Sequence, residues 1–356
     1  MNDQTTALQH QIISAYKHNT ACKIVGGDSK QFIGNETSGE LISTQQHKGV
    51  ISYDASELVC TVRSGTTLNE IRQTLDEQNQ MLAFEPPAFT ENTTIGGTIA
   101  CNSSGPARAY SGAARDFVLG SKIINGKGEI LQFGGQVMKN VAGYDASRLM
   151  AGAYGTLGLI LEVSLKVLPK NSHQTTIKIG QPVNTAIETI NKLSAKNLPI
   201  SASCYLDHHL YIRLSSSEKN TQAASQLICK ETAGTEIDNS DLFWQQIRDQ
   251  KNDFFKTDSP VTRLSLPATC QNIEFDGEQL IEWGGALRWL KSSQTIDDIR
   301  QSVASKNGHA IAYKNFDKQT AYFHPLDAGL NTIHQRLKQA FDPAGILNPG
   351  RLYKEF

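Results

Sequence analysis

Apolar positions recur with a period near 3.6 over residues 5–18, where Ala7, Leu8, Ile12, Ile13 and Tyr16 share one stripe, and this predicts an amphipathic first helix. The short apolar run Cys22 to Val25 then opens onto the small-residue loop Gly26-Gly27-Asp28-Ser29-Lys30, the pattern of a strand ending in a turn. Two further strands are expected at 49–53 and 58–63. Ser64-Gly65-Thr66-Thr67 follows as a capping segment for a helix over about 67–79, with Leu68, Ile71 and Leu75 on its inner face. Alternation over 117–124 and 129–133 around Asn125-Gly126-Lys127-Gly128 predicts a hairpin. A short helix near 145–151 and a strand over about 158–168, ending at Pro169, complete this half.

After Pro169 glycine becomes sparse and the texture changes. Strands at 173–179, 200–206 and 209–214 and helices at 183–196 and 218–231 predict a second α+β unit. A helix at 240–256, strands at 261–266 and 279–290 and a helix at 295–305 continue it. The last helix, 328–341, leads into Phe341-Asp342-Pro343-Ala344-Gly345-Ile346-Leu347-Asn348-Pro349-Gly350-Arg351, a turn-rich tail that needs a packing partner to be ordered. Residues 84–112 stand apart. They are rich in Pro, Gly, Ser and Thr, show little periodicity, and read as a long loop of the functional kind.

Charge adds mainly exclusions. With 34 basic and 35 acidic side chains, the chain has no electrostatic reason to bind nucleic acid or an anionic membrane surface. The uncharged stretch from Leu149 to Leu161 is too short for direct membrane insertion, and the polar first twenty residues lack a signal peptide's apolar core. An intracellular, cytoplasmic protein is expected. Its six cysteines are never closer than 25 residues, so no Cys-x-x-Cys pair offers an iron–sulfur or zinc site. No metal site is expected.

The glycines point to chemistry. Gly26-Gly27-Asp28-Ser29-Lys30, Thr93-Thr94-Ile95-Gly96-Gly97-Thr98 and Gly152 to Gly158 lie within one region. Adjacent glycines let backbone approach a ligand closely, and neighbouring hydroxyls add donors, as a pyrophosphate requires. Neither a G-x-G-x-x-G turn after a strand nor a G-x-x-x-x-G-K-[ST] loop is present, and no G-x-S-x-G elbow. A large dinucleotide held by several separate loops remains, and FAD suits that arrangement best.

The order of the first Gly-Gly loop, Thr94-Ile95-Gly96-Gly97, Tyr144-Asp145 and Gly155-Thr156-Leu157-Gly158 resembles the vanillyl-alcohol-oxidase (PCMH-type) FAD-binding family. The Asp342-Pro343 and Leu347-Asn348-Pro349-Gly350 segments resemble that family's C-terminal signature. More narrowly, Phe84 to Pro87, Ser104 to Arg108, Ala114 to Gly120 and Val137 to Asp145 resemble the FAD-binding subunit of glycolate oxidase, also called glycolate dehydrogenase.

The resemblance implies an α+β chain: a two-subdomain FAD-binding domain over 1–170, a smaller α+β cap domain over 171–330, and a helix and tail over 331–356 returning to the first domain. It implies that Gly26, Gly27, Asp28, Ser29 and Lys30 wrap the FAD pyrophosphate. Thr94, Ile95, Gly96 and Gly97 would lie along the pyrophosphate and flavin, with Asn102, Ser104 and Gly105 near the ring. Gly155, Thr156, Gly158 and Ile160 would sit by the ribose and adenine, and Asn348 would approach the flavin from the tail. It further implies oxidation of glycolate to glyoxylate within a complex that also holds a homologous flavin subunit and an iron–sulfur subunit. Any membrane association would come through those partners.

Departures refine this. Where covalent members carry a linking His, this chain has Asp28-Ser29, so the FAD is expected to be non-covalent. Arg351 stands where many relatives have Lys and is expected at the surface, and Tyr154 stands where D-lactate-oxidising relatives commonly have Glu. The metal-ligating segment of those relatives has no counterpart. Oxidising a 2-hydroxy acid needs a cation for the carboxylate and a base for the hydroxyl proton. Arg213, Arg263 and Arg288 are the candidate cations and His324 the candidate base. No catalytic constellation is assigned, and a self-sufficient FAD-dependent 2-hydroxyacid dehydrogenase and a non-catalytic structural subunit stand as the alternative readings.

Overall fold

The computed structural model describes residues 2–135, 146–317 and 319–356. The run 137–145, including Tyr144-Asp145, lies outside the described residues. Two compact units result: residues 1–103, 113–169 and 321–356 form the first, and 104–112 with 170–320 the second.

In the first unit, α1 (Thr5–His18) leads to β1 (Cys22–Val25), which pairs in parallel with β2 (Glu40–Ser43). β3 (Val50–Asp54) and β4 (Val59–Arg63) precede α2 (Leu68–Asp76), a two-residue strand β5 (Gln80–Met81) and α3 (Ile95–Ala100). Helix α4 (Arg108–Ser111) belongs to the second unit. The first resumes with β6 (Val118–Ile124), β7 (Ile130–Gly134), β8 (Leu159–Lys166) and β9 (Leu168–Pro169). Five strands form an antiparallel sheet in the order β3-β4-β8-β6-β7. Helices α2 and α3 pack on it through Leu68, Ile71, Leu75, Ile95 and Ile99, with Phe84 and Phe117 closing the same core. A second core joins α1 (Leu8, Ile12, Ala15) to Cys22, Ile42, Leu159 and Leu161.

Local capping fixes where these helices start. Thr67 Oγ accepts from Glu70 N–H at 3.2 Å while a Glu70 carboxylate oxygen accepts from Thr67 N–H at 2.8 Å, a reciprocal capping box. The α3 start is tied to the α2 start: Leu68 N–H donates to Thr93 O and Ile95 N–H to Thr66 O, each at 2.9 Å. The expected long loop over 84–112 thus contains two short helices. Its Thr94-Ile95-Gly96-Gly97 run is helical because Thr94 caps it and Ile95 and Ile99 are drawn into the core.

The second unit is built on β10 (His173–Gly180), α5 (Val183–Ser194), β11 (Ile200–Leu206), β12 (His209–Ser216), α6 (Glu218–Thr232), β13 (Thr235–Ile237) and α7 (Asp241–Arg248). β14 (Val261–Ser265), β15 (Glu278–Glu282), β16 (Leu287–Lys291), α8 (Ile296–Ala304) and β17 (His309–Lys314) complete it. Its eight strands run β13-β10-β12-β11-β15-β16-β14-β17, every neighbouring pair antiparallel. The strand expected over 279–290 is two strands, divided by a turn in which Trp283, Gly284 and Gly285 all have positive φ. The helix expected over 240–256 stops at Arg248 and resumes as a single turn, Asp253–Phe255.

Segment 104–112, expected in the first domain, joins the second unit through two polar contacts. Trp283 Nε1 donates to Gly105 O at 2.9 Å and Tyr110 Oη to Ser203 Oγ at 3.1 Å. The later boundary falls at 320 rather than 330, because Tyr322 N–H donates to Asn35 Oδ1 and Tyr353 Oη to His324 O within the first unit.

The chain returns to the first unit with α9 (Ala328–Phe341) and the tail. Cys22 N–H donates to Ile346 O at 2.7 Å and Asn348 N–H to Cys22 O at 3.0 Å, so the tail flanks β1 and buries Ile346 and Leu347. That is the packing partner the turn-rich segment required. The anchor is a buried ion pair. Lys338 Nζ donates to Asp342 Oδ2 (2.7 Å), Leu347 O (2.8 Å) and Thr156 O (3.0 Å), using all three ammonium protons. Asp342 in turn accepts from Ile346 and Leu347 N–H. Burial pulls the Lys338 amine below its ordinary range, and the Asp342 carboxylate opposes that shift. Lys338→Met removes one partner and strands a buried carboxylate, so denaturant unfolding should show a loss of roughly 3–5 kcal/mol. A loss below about 1 kcal/mol, the worth of a surface pair, would contradict this anchoring role.

Candidate functional site

The first unit carries a cleft lined by Lys23 to Gln31, Thr37, Thr94, Gly97, Ala100, Cys101, Tyr154, Asn348 and Arg351. Three chain segments meet there: β1 with its loop, the start of α3, and the tail. Their closeness depends on glycine. A Cβ on Gly27 would lie 1.5 Å from Asn92 O, and one on Gly26 would lie 2.5 Å from Thr94 Oγ, so the two loops touch backbone to backbone. Thr93 Oγ donates to Ser29 Oγ at 3.0 Å and completes the join.

Gly97 is different. A Cβ there would meet nothing nearer than Thr94 Oγ at 3.5 Å and Lys30 Nζ at 3.9 Å, ordinary contact distances, and its backbone is helical. The protein's own packing does not require glycine at 97. What a side chain would take up is the open cleft.

Lys30 supplies the charge. Its side chain is 7% exposed, lines the cleft, and lies 5.8 Å from the Phe89 ring centroid. Its ammonium makes no hydrogen bond among the described residues. Burial pulls it down to about 8. An unpaired cation held this far from water is costly unless an anion joins it. Arg351, expected at the surface, is instead a clamp: its guanidinium donates to the carbonyls of Asn35 (2.8 Å), Lys30 (3.3 Å), Gln31 (3.4 Å) and Ile33. Its charge holds the Lys30–Asn35 loop in shape.

Asn348 lines the cleft, and both ends of its amide are committed to the protein. Oδ1 accepts from Ile24 N–H and Nδ2 donates to Tyr154 O, each at 2.7 Å. Asn348 thereby spans β1 and the Tyr154–Gly155 turn.

The structure does not bring all the expected residues together. Ile95 is fully buried in the core and a Cβ on Gly96 would meet Ser64 at 2.6 Å, so alternate faces of one helix separate them from Gly97. Gly155 packs on the Asn348 amide, Gly158 on Ile123, and Ile160 lies in the sheet core. Thr156 is buried, its hydroxyl donating to Ala153 O and its carbonyl accepting from Lys338. These four shape the cleft's support and do not line it. Asn102 Oδ1 accepts from Arg115 N–H at 3.1 Å, and Ser104 and Gly105 belong to the second unit. Reading residues in sequence blocks missed this division, since one turn of helix sends neighbours to opposite sides.

The catalytic candidates fare unevenly. Arg288 is fully buried and donates to the carbonyls of Gly285, Gln271 and Cys270, and Arg213 is buried against Ser201 and the Trp244 ring. Both are spent on structure. Arg263 is half-buried over the Trp283 ring, 5.3 Å from its centroid. His324 is half-buried, and its carbonyl accepts from Tyr353. Among the described residues no group of three or more His, Cys, Asp or Glu forms a metal site, and no helix is long and apolar enough to cross a membrane. Lys23, Thr37 and Cys101 also line the cleft and carry no motif signal, while Tyr154 lines it from within the Gly152–Gly158 motif.

The cleft therefore offers closely approaching backbone, hydroxyls and a buried ammonium without a hydrogen-bond partner among the described residues, the donor set for a phosphorylated ligand. Comparison with known proteins agrees. A family model described as FAD binding domain matches residues 3–134, and one for the C-terminal domain of FAD linked oxidases matches 316–352. The chain is 43% identical over 353 residues to the glycolate oxidase subunit GlcE of Escherichia coli, covering 99% of this chain and 98% of that protein. It is 32% identical to the glycolate oxidase subunit GlcD of Bacillus subtilis over 48% of this chain and 37% of that one. Against a D-lactate dehydrogenase of Anaerostipes hadrus it is 30% identical over 56% and 41% respectively. A solved alkyldihydroxyacetonephosphate synthase superposes over 98% of this chain and 76% of its own with a TM-score of 0.72 at 15% identity, a likeness of fold. Identity sustained along nearly the whole of both chains places this protein in the FAD-linked oxidoreductase family of the glycolate oxidase subunit GlcE.

Proposed function

We propose that this chain is the FAD-binding subunit of a glycolate-oxidising complex, taking part in the oxidation of glycolate to glyoxylate. The observation that carries the reading is the cleft, where Gly97 leaves open a space that the fold itself does not need and Lys30 faces it without a partner. When bound, FAD would supply a two-electron carrier to the complex. The chain's own residues do the holding. Gly26 to Lys30, Thr94 and Gly97 bound the pyrophosphate, while Asn348 and Arg351 keep β1, the following loop and the tail in register around it. Neither Asp28 nor Ser29 forms a flavin bond of the histidine type, so the cofactor is held without covalent attachment. A homologous flavin subunit and an iron–sulfur subunit would complete the complex, the latter taking the electrons that FAD held here would carry.

Whether substrate is oxidised on this chain or on the partner flavin subunit turns on the second unit. Arg213 and Arg288 are already committed to structural contacts, and this favours a relaying role.

Three outcomes check this reading. The full chain should purify yellow or take up FAD, and acid precipitation should release all of its flavin; flavin left on the precipitate would contradict non-covalent binding. Gly97→Val should fold with a melting temperature close to that of the cofactor-free parent yet retain no FAD, and an FAD-replete variant would refute the placement of the cofactor. Anaerobic addition of glycolate to the isolated yellow chain should leave the flavin oxidised. Bleaching would locate a working substrate site on this chain and overturn the relaying role.

A further inference from the structure

Lys30 is an expensive residue to leave as it stands. Its side chain is more than nine-tenths buried, no acceptor among the described residues takes its protons, and its nearest aromatic neighbour is 5.8 Å away at Phe89. The other ionisable groups lining the cleft are Lys23, Asp28, Cys101, Tyr154 and Arg351. Arg351 is occupied by four carbonyls, Asp28 is exposed and accepts from Gln31, and Lys23 is half-buried on β1. Cys101, which follows α3, lines the same cleft, and burial pushes its thiol up while the charges of Lys30 and Arg351 oppose that shift. Lys30 thus has open space on one side and no anion on the others.

Resting on the reading that this cleft holds FAD, we propose that the Lys30 side chain is the counter-charge of the cofactor's pyrophosphate, and that FAD binding is coupled to uptake of one proton by that side chain. In the free protein the buried amine gives up its proton readily. Beside two phosphate charges it keeps it. The step is an acid–base exchange with solvent: the neutral amine plus a proton becomes the ammonium in the complex. The sign follows from linkage. The complex binds more protons than its separated parts, so affinity falls as pH rises through the free-state value of about 8 and is level well below it. Affinity should be roughly tenfold weaker at pH 9 than at pH 7, with about half a proton taken up per FAD at pH 8.

The test is calorimetric titration of FAD into the cofactor-stripped full chain, in buffers of different ionisation enthalpy, at pH 7, 8 and 9. Wild type should show proton uptake that grows across this range. Lys30→Arg, which keeps its charge at all these values, should bind FAD with no proton uptake and a level pH profile. Lys30→Met should bind at least tenfold more weakly at pH 7 and also lose the pH dependence. Its cofactor-free form should melt no lower than wild type, since an unpaired buried cation has been removed. Wild-type affinity in Lys30→Met, or FAD binding by wild type without proton uptake at pH 8 and 9, would overturn the proposal while leaving the cofactor reading intact. No FAD binding by wild type at any pH would overturn both.

Discussion

Lys338 must place three protons away from water, and it places them on Asp342 and on the carbonyls of Thr156 and Leu347. Those three acceptors belong to three parts of the first unit: the cap that ends the last helix, the segment leading into β8, and the tail. Because the ammonium is buried, loss of any one acceptor costs more than a surface contact would. The tail is thereby fixed, and it in turn brings Asn348 to β1 and Tyr154 and Arg351 to the loop after Lys30. Residues more than 300 positions apart in sequence become neighbours on one wall. The geometry of the cleft rests on this arrangement as much as on the glycine loops themselves.

Glycine is used there in two ways. At Gly26 and Gly27 the absent side chain lets one loop lie on another, a packing requirement of the protein. At Gly97 the protein's own packing asks for nothing, and the position opens onto the cleft. The distinction matters because a glycine-rich motif read along the sequence does not separate the two. Lys30 adds the charge that such an opening needs, and Arg351, although cationic and close by, is consumed in holding the loop.

Much of this was legible in the residues. The strand-to-loop transition at Cys22–Lys30, the Thr67 cap, the hairpin at 118–134 and the last helix follow from local periodicity and turn chemistry, which the structure retains. Short elements were harder. β2 presents one buried side chain in four residues, and α3 is a single capped stretch with two adjacent glycines, so neither carries a full period. The glycine-rich loops stand out as motifs, yet a motif does not assign faces: Ile95 and Gly96 turn to the core while Gly97 turns to the cleft. The transfer of 104–112 to the second unit was invisible for a related reason, since it rests on the contacts of Gly105 with Trp283 and of Tyr110 with Ser203, partners far along the chain.

The central claim is that β1 and its loop, the start of α3 and the tail together form the wall of an FAD site. Amide hydrogen exchange of the full chain, compared with and without FAD, tests it most directly. Protection should rise together in 22–31, 92–101 and 346–351, the three segments that meet at the cleft. Protection confined to other segments, or unchanged in these three while FAD is bound, would contradict the account.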